Sequence, residues 1–189
     1  MAGFLRLIQK VKDVHHLRLG FYQGDIFTEE PQNERDVTPV LEQLREFKPT
    51  VISLAMDPEG SGPDTHYKVL QTIAHAVRLW SQEADLSKLR IWGYRNVWYR
   101  FDLAEADIIV PVTLNSMSIL NSTFMNCYLS QKDASFPSYE YDGPFCELSQ
   151  KIWVEQHHDL QLLLGRDYWY RNENPHLRAV PVSYTHLRA

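Results

Sequence analysis

Thr50-Val51-Ile52-Ser53-Leu54-Ala55 is a short, β-branched apolar run bounded by Pro49, and it opens into Asp57-Pro58-Glu59-Gly60-Ser61-Gly62-Pro63. An apolar run of this length between turn-forming residues reads as a buried strand, so the loop sits at the strand's carboxyl end. Asp64 then suits an N-cap, and Val69, Leu70, Ile73, Val77 and Trp80 recur with a period near that of an α-helix. Strand, loop and helix in this order begin a crossover unit, because parallel neighbours in a sheet need a connection that a helix usually supplies.

The alternation continues on both sides. Upstream, Val37, Val40, Leu41, Leu44 and Phe47 fall at helical spacing until Pro49 stops them. Before them Val14, Leu17, Leu19 and Phe21 suggest a strand feeding a loop at residues 20–24, and the first dozen residues suit a helix. Downstream, residues 89–94 and 107–112 read as strands. Thr113 opens a helix carrying Leu114, Met117, Leu120 and Phe124, and a last helix from about Phe145 ends at Gly165. The aromatic, turn-rich segment 136–145 between these helices reads as a loop that folds Phe136, Tyr139, Tyr141 and Phe145 onto the core, with substrate contact as the alternative. The pattern predicts an α/β domain with a largely parallel sheet and flanking helices.

Composition narrows the functions. The chain has 189 residues, the size of one domain, and its 44% apolar and 12% aromatic content suffices for a core. With 19 basic against 24 acidic residues and no long block of either sign, it carries no footprint for nucleic acid or an anionic membrane. Cys127 and Cys146 form neither a CxxC pair nor a disulfide framework, which predicts two reduced thiols and a cytoplasmic protein. The first twelve residues are too sparsely apolar for a signal peptide or a membrane span.

Ligands of open α/β sheets bind beyond the carboxyl ends of the strands, and two segments occupy that position. The first, from Asp57 to His66, places Asp57, Glu59, Asp64 and an imidazole around glycines that let the backbone turn closely about a ligand. The second, Tyr94-Arg95-Asn96-Val97-Trp98-Tyr99-Arg100, offers guanidinium forks for phosphate or carboxylate and aromatic faces for a sugar ring. Plainer readings stand beside these. Asp64 serves equally as an N-cap, His66 as a polar first-turn residue, Asp57 and Glu59 as solvated acids, and Arg95 and Arg100 as ion-pair partners. The adjacent pairs His15-His16 and His157-His158 point in different directions on a strand or helix, and they read as structural.

Asp57-Pro58-Glu59-Gly60 through Thr65-His66-Tyr67-Lys68 resembles the second metal-binding segment of the LmbE/PIG-L N-deacetylases. Leu17 to Tyr22, Trp92 to Trp98, Val110-Pro111-Val112, Ser130-Gln131 and Phe136 to Phe145 resemble the branch of that family found behind a glucosamine-6-phosphate deaminase domain. The resemblance implies a Rossmann-like fold and zinc-dependent removal of an N-acyl group from an amino sugar or amino-sugar phosphate. It makes His66 a zinc ligand and Asp64 a supporting residue that orients the loop or the ligand; the fork of Arg95 and the ring of Trp98 suit them as substrate contacts beside it.

Two departures qualify the resemblance. The family's first segment, Ala-His-Pro-Asp-Asp-Glu, has no counterpart here, so the zinc site is expected to be incomplete in this chain and the first strand of the sheet missing. Residues 1–179 then read as the C-terminal part of the deacetylase domain, inactive by itself and joined in its parent to a glucosamine-6-phosphate deaminase domain. Residues 180–189, ending Val182-Ser183-Tyr184-Thr185-His186-Leu187-Arg188-Ala189, read as a non-native, adapter-derived tail that lacks a helical or alternating pattern able to bury a face. One alternative is a non-catalytic sugar-phosphate-binding or regulatory domain of such a fusion; another is a structural or interaction protein in which the loop acids and His66 only cap and solubilise.

Overall fold

A computed structural model describes residues 11–23, 28–60, 62–95, 100–129, 132, 143–174 and 183–187. It comprises two units, one of His15–Asp107 with Leu187–Ala189 and one of Ile108–His186 with Met1–Val14. In the first, a π-helical turn, Asn33–Val37, runs into helix α1, Thr38–Phe47, with Pro39 in the first turn where no amide partner is lost. Lys48 ends α1 in the left-handed region at φ 45°, its N–H returning to the Leu44 carbonyl at 2.9 Å, and Pro49 follows.

Strand β1, Val51–Ala55, pairs in parallel with β2, Arg90–Tyr94, in a register that sets Val51 opposite Arg90 and Ala55 opposite Tyr94. Helix α2, Asp64–Trp80, makes the crossover between them. Val37, Leu41 and Leu44 pack with Ala76 and Trp80 as the core of this unit, with Ile52, Val77 and Leu89 around them. Burying side chains of this size contributes roughly 1.5–3 kcal/mol each relative to exposure.

Three expectations are corrected in this unit. β1 is not a buried strand: Leu54 is buried, but Val51 is 43% exposed, as the described residues cover little of that face. Residues 14–21 form no strand, because the Gly20 and Phe21 amides are taken by a side chain, the buried Asp36 carboxylate, and not by a neighbouring strand. Asp64 is not an N-cap. Pro63 holds that position without a side-chain cap, and Asp64 is the first helical residue. The buried stripe of α2 is Lys68, Thr72, Ala76 and Trp80, four residues apart, and Thr72 satisfies its buried hydroxyl on the Lys68 carbonyl at 2.8 Å.

In the second unit, β3 (Ile108–Val112) leads to α3 (Leu114–Cys127), whose start Thr113 caps by accepting the Ser116 amide at 3.2 Å. Helix α4, Phe145–Leu164, buries Leu148, Ile152 and Leu160, with Cys146 buried in its first turn, and ends at Gly165, φ 76°. The short helix α5, Arg166–Tyr170, was not foreseen; it places buried Trp169 edge-on to His157 at 5.9 Å. Residues 183–187 of the tail form β4, the sheet partner of β3, although the sequence pattern allowed that segment no element. Backbone pairing demands no alternating side-chain pattern.

The described strands therefore form two separate two-stranded sheets and not one larger parallel sheet. Both cysteines are free thiols, and the buried Cys146 donates to Asn121 Oδ1 at 3.3 Å. No helix among the described residues is long and apolar enough to cross a membrane. The expected helix at residues 1–10 and most of the aromatic segment 136–145 lie outside the described residues.

Candidate functional site

The two parallel strands deliver the candidate residues to one end. The Met56 amide extends the ladder to the Tyr94 carbonyl at 2.8 Å, and the chain then turns at Asp57. Asp57 is 3% exposed; its Oδ2 accepts the Gly62 amide at 2.7 Å and its carbonyl accepts the Gly60 amide at 3.1 Å. Gly60 lies at φ 65°, a left-handed conformation that explains a glycine there.

Arg95, immediately after β2, reaches across to this turn. Its Nη1 and Nη2 donate to Glu59 Oε2 and Oε1 at 2.6 and 2.9 Å, a two-pronged pair. The same guanidinium stands 3.8 Å from Asp57 and lies over the Phe101 ring, 5.0 Å from its centroid. The Arg95 hydrogen bonds hold the Glu59 carboxyl below the usual carboxylate range.

A second cluster begins at Asp64. Its carboxylate accepts from the Thr28 hydroxyl and lies 2.9 Å from Lys68 Nζ, one turn along α2. Lys68 is nearly buried, and its ammonium also donates to the Thr28 carbonyl at 3.1 Å and hydroxyl at 2.8 Å, with Glu30 at 3.2 Å. Thr28 foremost, then Lys68, keeps Asp64 below the ordinary carboxylate range; the hydrogen bond to Asp64 raises Lys68 against the opposing effect of burial. Lys68 was missed as a member of this cluster, although the i,i+4 spacing from Asp64 signalled the pair.

His66 is half-buried in the first turn of α2, its amide donating to the Pro63 carbonyl at 2.8 Å. Asp64 and His66 are two positions apart on the helix and so point to different faces. Trp98 lies outside the described residues. A largely apolar cavity of about 630 Å³ abuts Thr65, between Leu17, Leu19 and Tyr22 on one side and Val40, Val69 and Ile73 on the other. None of Asp57, Glu59, Asp64, His66 or Arg95 lines it.

The structure thus joins Asp57, Glu59 and Arg95 in one cluster and places Asp64 in another with Lys68. Zinc requires three or four converging donors. Among the described residues no three His, Cys, Asp or Glu side chains converge in that way, and the nearby acids are engaged by Arg95 and Lys68. The residues present therefore do not fit a zinc site by themselves.

No family model matches the chain, and no solved structure matches it. Over 128 residues it is 30% identical to a glucosamine-6-phosphate deaminase-like protein of Bacteroides thetaiotaomicron. The aligned stretch takes in 65% of this chain and 19% of that protein, so the chain spans about a fifth of the length of the curated relative it matches.

Proposed function

We propose that this chain is part of an amino-sugar enzyme, a Rossmann-like hydrolase that removes an N-acyl group from an amino sugar or its phosphate. The observation that carries the reading is the similarity to a glucosamine-6-phosphate deaminase-like protein across 65% of the chain. It agrees in direction with a polar cluster at the carboxyl ends of a parallel strand pair, where α/β proteins bind ligands. In this reading His66 is one zinc ligand, and the remaining donors come from a His-Pro-Asp-Asp segment outside these 189 residues. Asp64 orients the start of α2 through Lys68 and Thr28, and Arg95 with Trp98 meets the substrate.

The test is to join the chain to such a segment from the deacetylase family. The joined protein takes up about one zinc per chain and deacetylates an N-acetylhexosamine phosphate, and His66→Ala loses both the uptake and the turnover. Stoichiometric zinc and undiminished hydrolysis in the His66→Ala protein would remove His66 from the site.

One observation favours a second reading, a non-catalytic sugar-phosphate-binding domain of a deaminase-like fusion. Glu59 and Asp64 are each held in ion pairs, and Asp57 is buried beside Arg95, so none of the three acids stands ready as a base or a metal ligand. Saturable sugar-phosphate binding by the joined protein, without hydrolysis at full zinc loading, selects that reading.

A further inference from the structure

We propose that Glu59 occupies on Arg95 the place of an anionic ligand, so that a sugar bearing a phosphate or carboxylate binds here by displacing Glu59. The inference rests on the reading of Arg95 as a ligand contact and adds what controls access to it. A guanidinium fork meets two oxygens of a phosphate as it meets two oxygens of a carboxylate, and the Glu59 pair already shows that geometry at 2.6 and 2.9 Å.

The two partners are held very differently. The Arg95 side chain is 10% exposed and is backed by Asp57 at 3.8 Å and by the Phe101 ring. The Glu59 side chain is 52% exposed. It precedes Gly60, whose position would meet nothing within 4 Å if it carried a Cβ. With half of its side chain already in solvent, Glu59 can leave the fork by rotating that side chain, while Arg95 is held by Asp57 and the Phe101 ring. Asp57 remains beside the guanidinium throughout, so the exchange replaces one anion by another and never strands a buried cation.

The pair is open to solvent on the Glu59 side alone, so an anion carrying more charge can compete for the fork, and Glu59 lowers apparent affinity by the fraction of time it is bound. Its removal has an expected sign that distinguishes a competitor from a strut. In calorimetric titrations of the full chain with inorganic phosphate and then glucosamine 6-phosphate, Glu59→Gln binds about fivefold more tightly than the unaltered protein. Arg95→Lys, which keeps the charge beside Asp57 but loses the fork, binds about tenfold more weakly.

Glu59→Gln alters a half-exposed side chain, so it folds, and an unchanged melting temperature confirms this. Equal or weaker binding by Glu59→Gln, binding by Arg95→Lys equal to that of the unaltered protein, or no phosphate binding by any of the three overturns the proposal. His66→Ala separates this inference from the zinc reading. It leaves the phosphate response intact if the anion sits on Arg95 and abolishes it if the anion sits at the first turn of α2, which also overturns the proposal. Failure of His66 as a zinc ligand leaves these binding results unaffected.

Discussion

Asp36 and Glu59 are both carboxylates that tie one stretch of chain to another, yet they sit at opposite ends of a scale. Asp36 is fully buried and accepts the amides of Gly20, Phe21 and Gln32 at 2.6, 3.0 and 2.8 Å, with Arg35 Nε at 3.0 Å. Burial pushes its carboxyl up, but the bonds from Gln32, Arg35, Gly20 and Phe21 more than offset this and hold it below the ordinary range. Glu59 is held chiefly by Arg95, with its own backbone amide beside it, and half of its side chain faces solvent. A buried carboxylate surrounded by backbone donors has no vacancy for a ligand and serves the fold. A half-exposed carboxylate on one fork is exchangeable, which is what a binding site requires.

The largest effect should come from the buried member. Asp36→Ala leaves three backbone amides without their acceptor and should cost about 3 kcal/mol in urea unfolding. A loss no larger than that of a surface substitution would break the comparison at once. The pH dependence has a definite sign. A carboxyl lowered in the folded state contributes stability that is present above its unfolded value of 3.8 and is lost as pH falls through the depressed folded value. The Asp36→Ala protein should therefore lose less stability on acidification below about pH 4 than the unaltered protein does.

Next in size is Arg95→Met, which leaves Asp57 buried beside an apolar chain and should cost about 2 kcal/mol, less than Asp36→Ala because the Gly62 amide remains on Asp57. Chemical denaturation of the two variants side by side checks the order, and a reversal would make the strand-end cluster the principal structural junction. Gly60→Ala meets no steric obstacle and should cost about 1 kcal/mol through its left-handed backbone alone. A larger loss would mean that the turn is as rigidly held as the Asp36 junction. The smallest effect belongs to Arg45, paired with Glu83 at 2.7 and 2.9 Å but with both side chains well exposed. Arg45→Ala should leave the melting temperature unchanged within error, because water screens such a pair. A clear drop there would show that pairing geometry, and not burial, sets the scale.

Much of the fold was legible because it is local. The period of Val37, Leu41 and Leu44, the stop at Pro49, the β-branched run at 51–55, the Thr113 cap and the Gly165 end are short-range signals, and the corresponding elements form where they indicate. The candidate site was legible in kind and not in pairing. Arg95 was named both as a substrate contact and as an ion-pair partner, and its partner Glu59 lies 36 residues away. Asp36 left no signal, since nothing in an acidic residue near a helix start foretells amides 15 and 16 positions upstream.

By itself, then, the sequence determined the helices α1 to α4 and the strands β1 to β3, that β1 and β2 need a helical crossover, and which polar residues stand at their carboxyl ends. Those outcomes depend on side-chain period, backbone stereochemistry and turn residues, all of which act within a few positions. Only the tertiary structure decided that the 14–21 segment would be held by a side chain in place of a strand, that α2 would bury Lys68 and Thr72 on its inward stripe, and which acid each cation would take. Choices of that kind turn on distance and burial between residues far apart in the chain. The strength of a charge pair is set by the solvent around it, and that does not exist until the chain has folded.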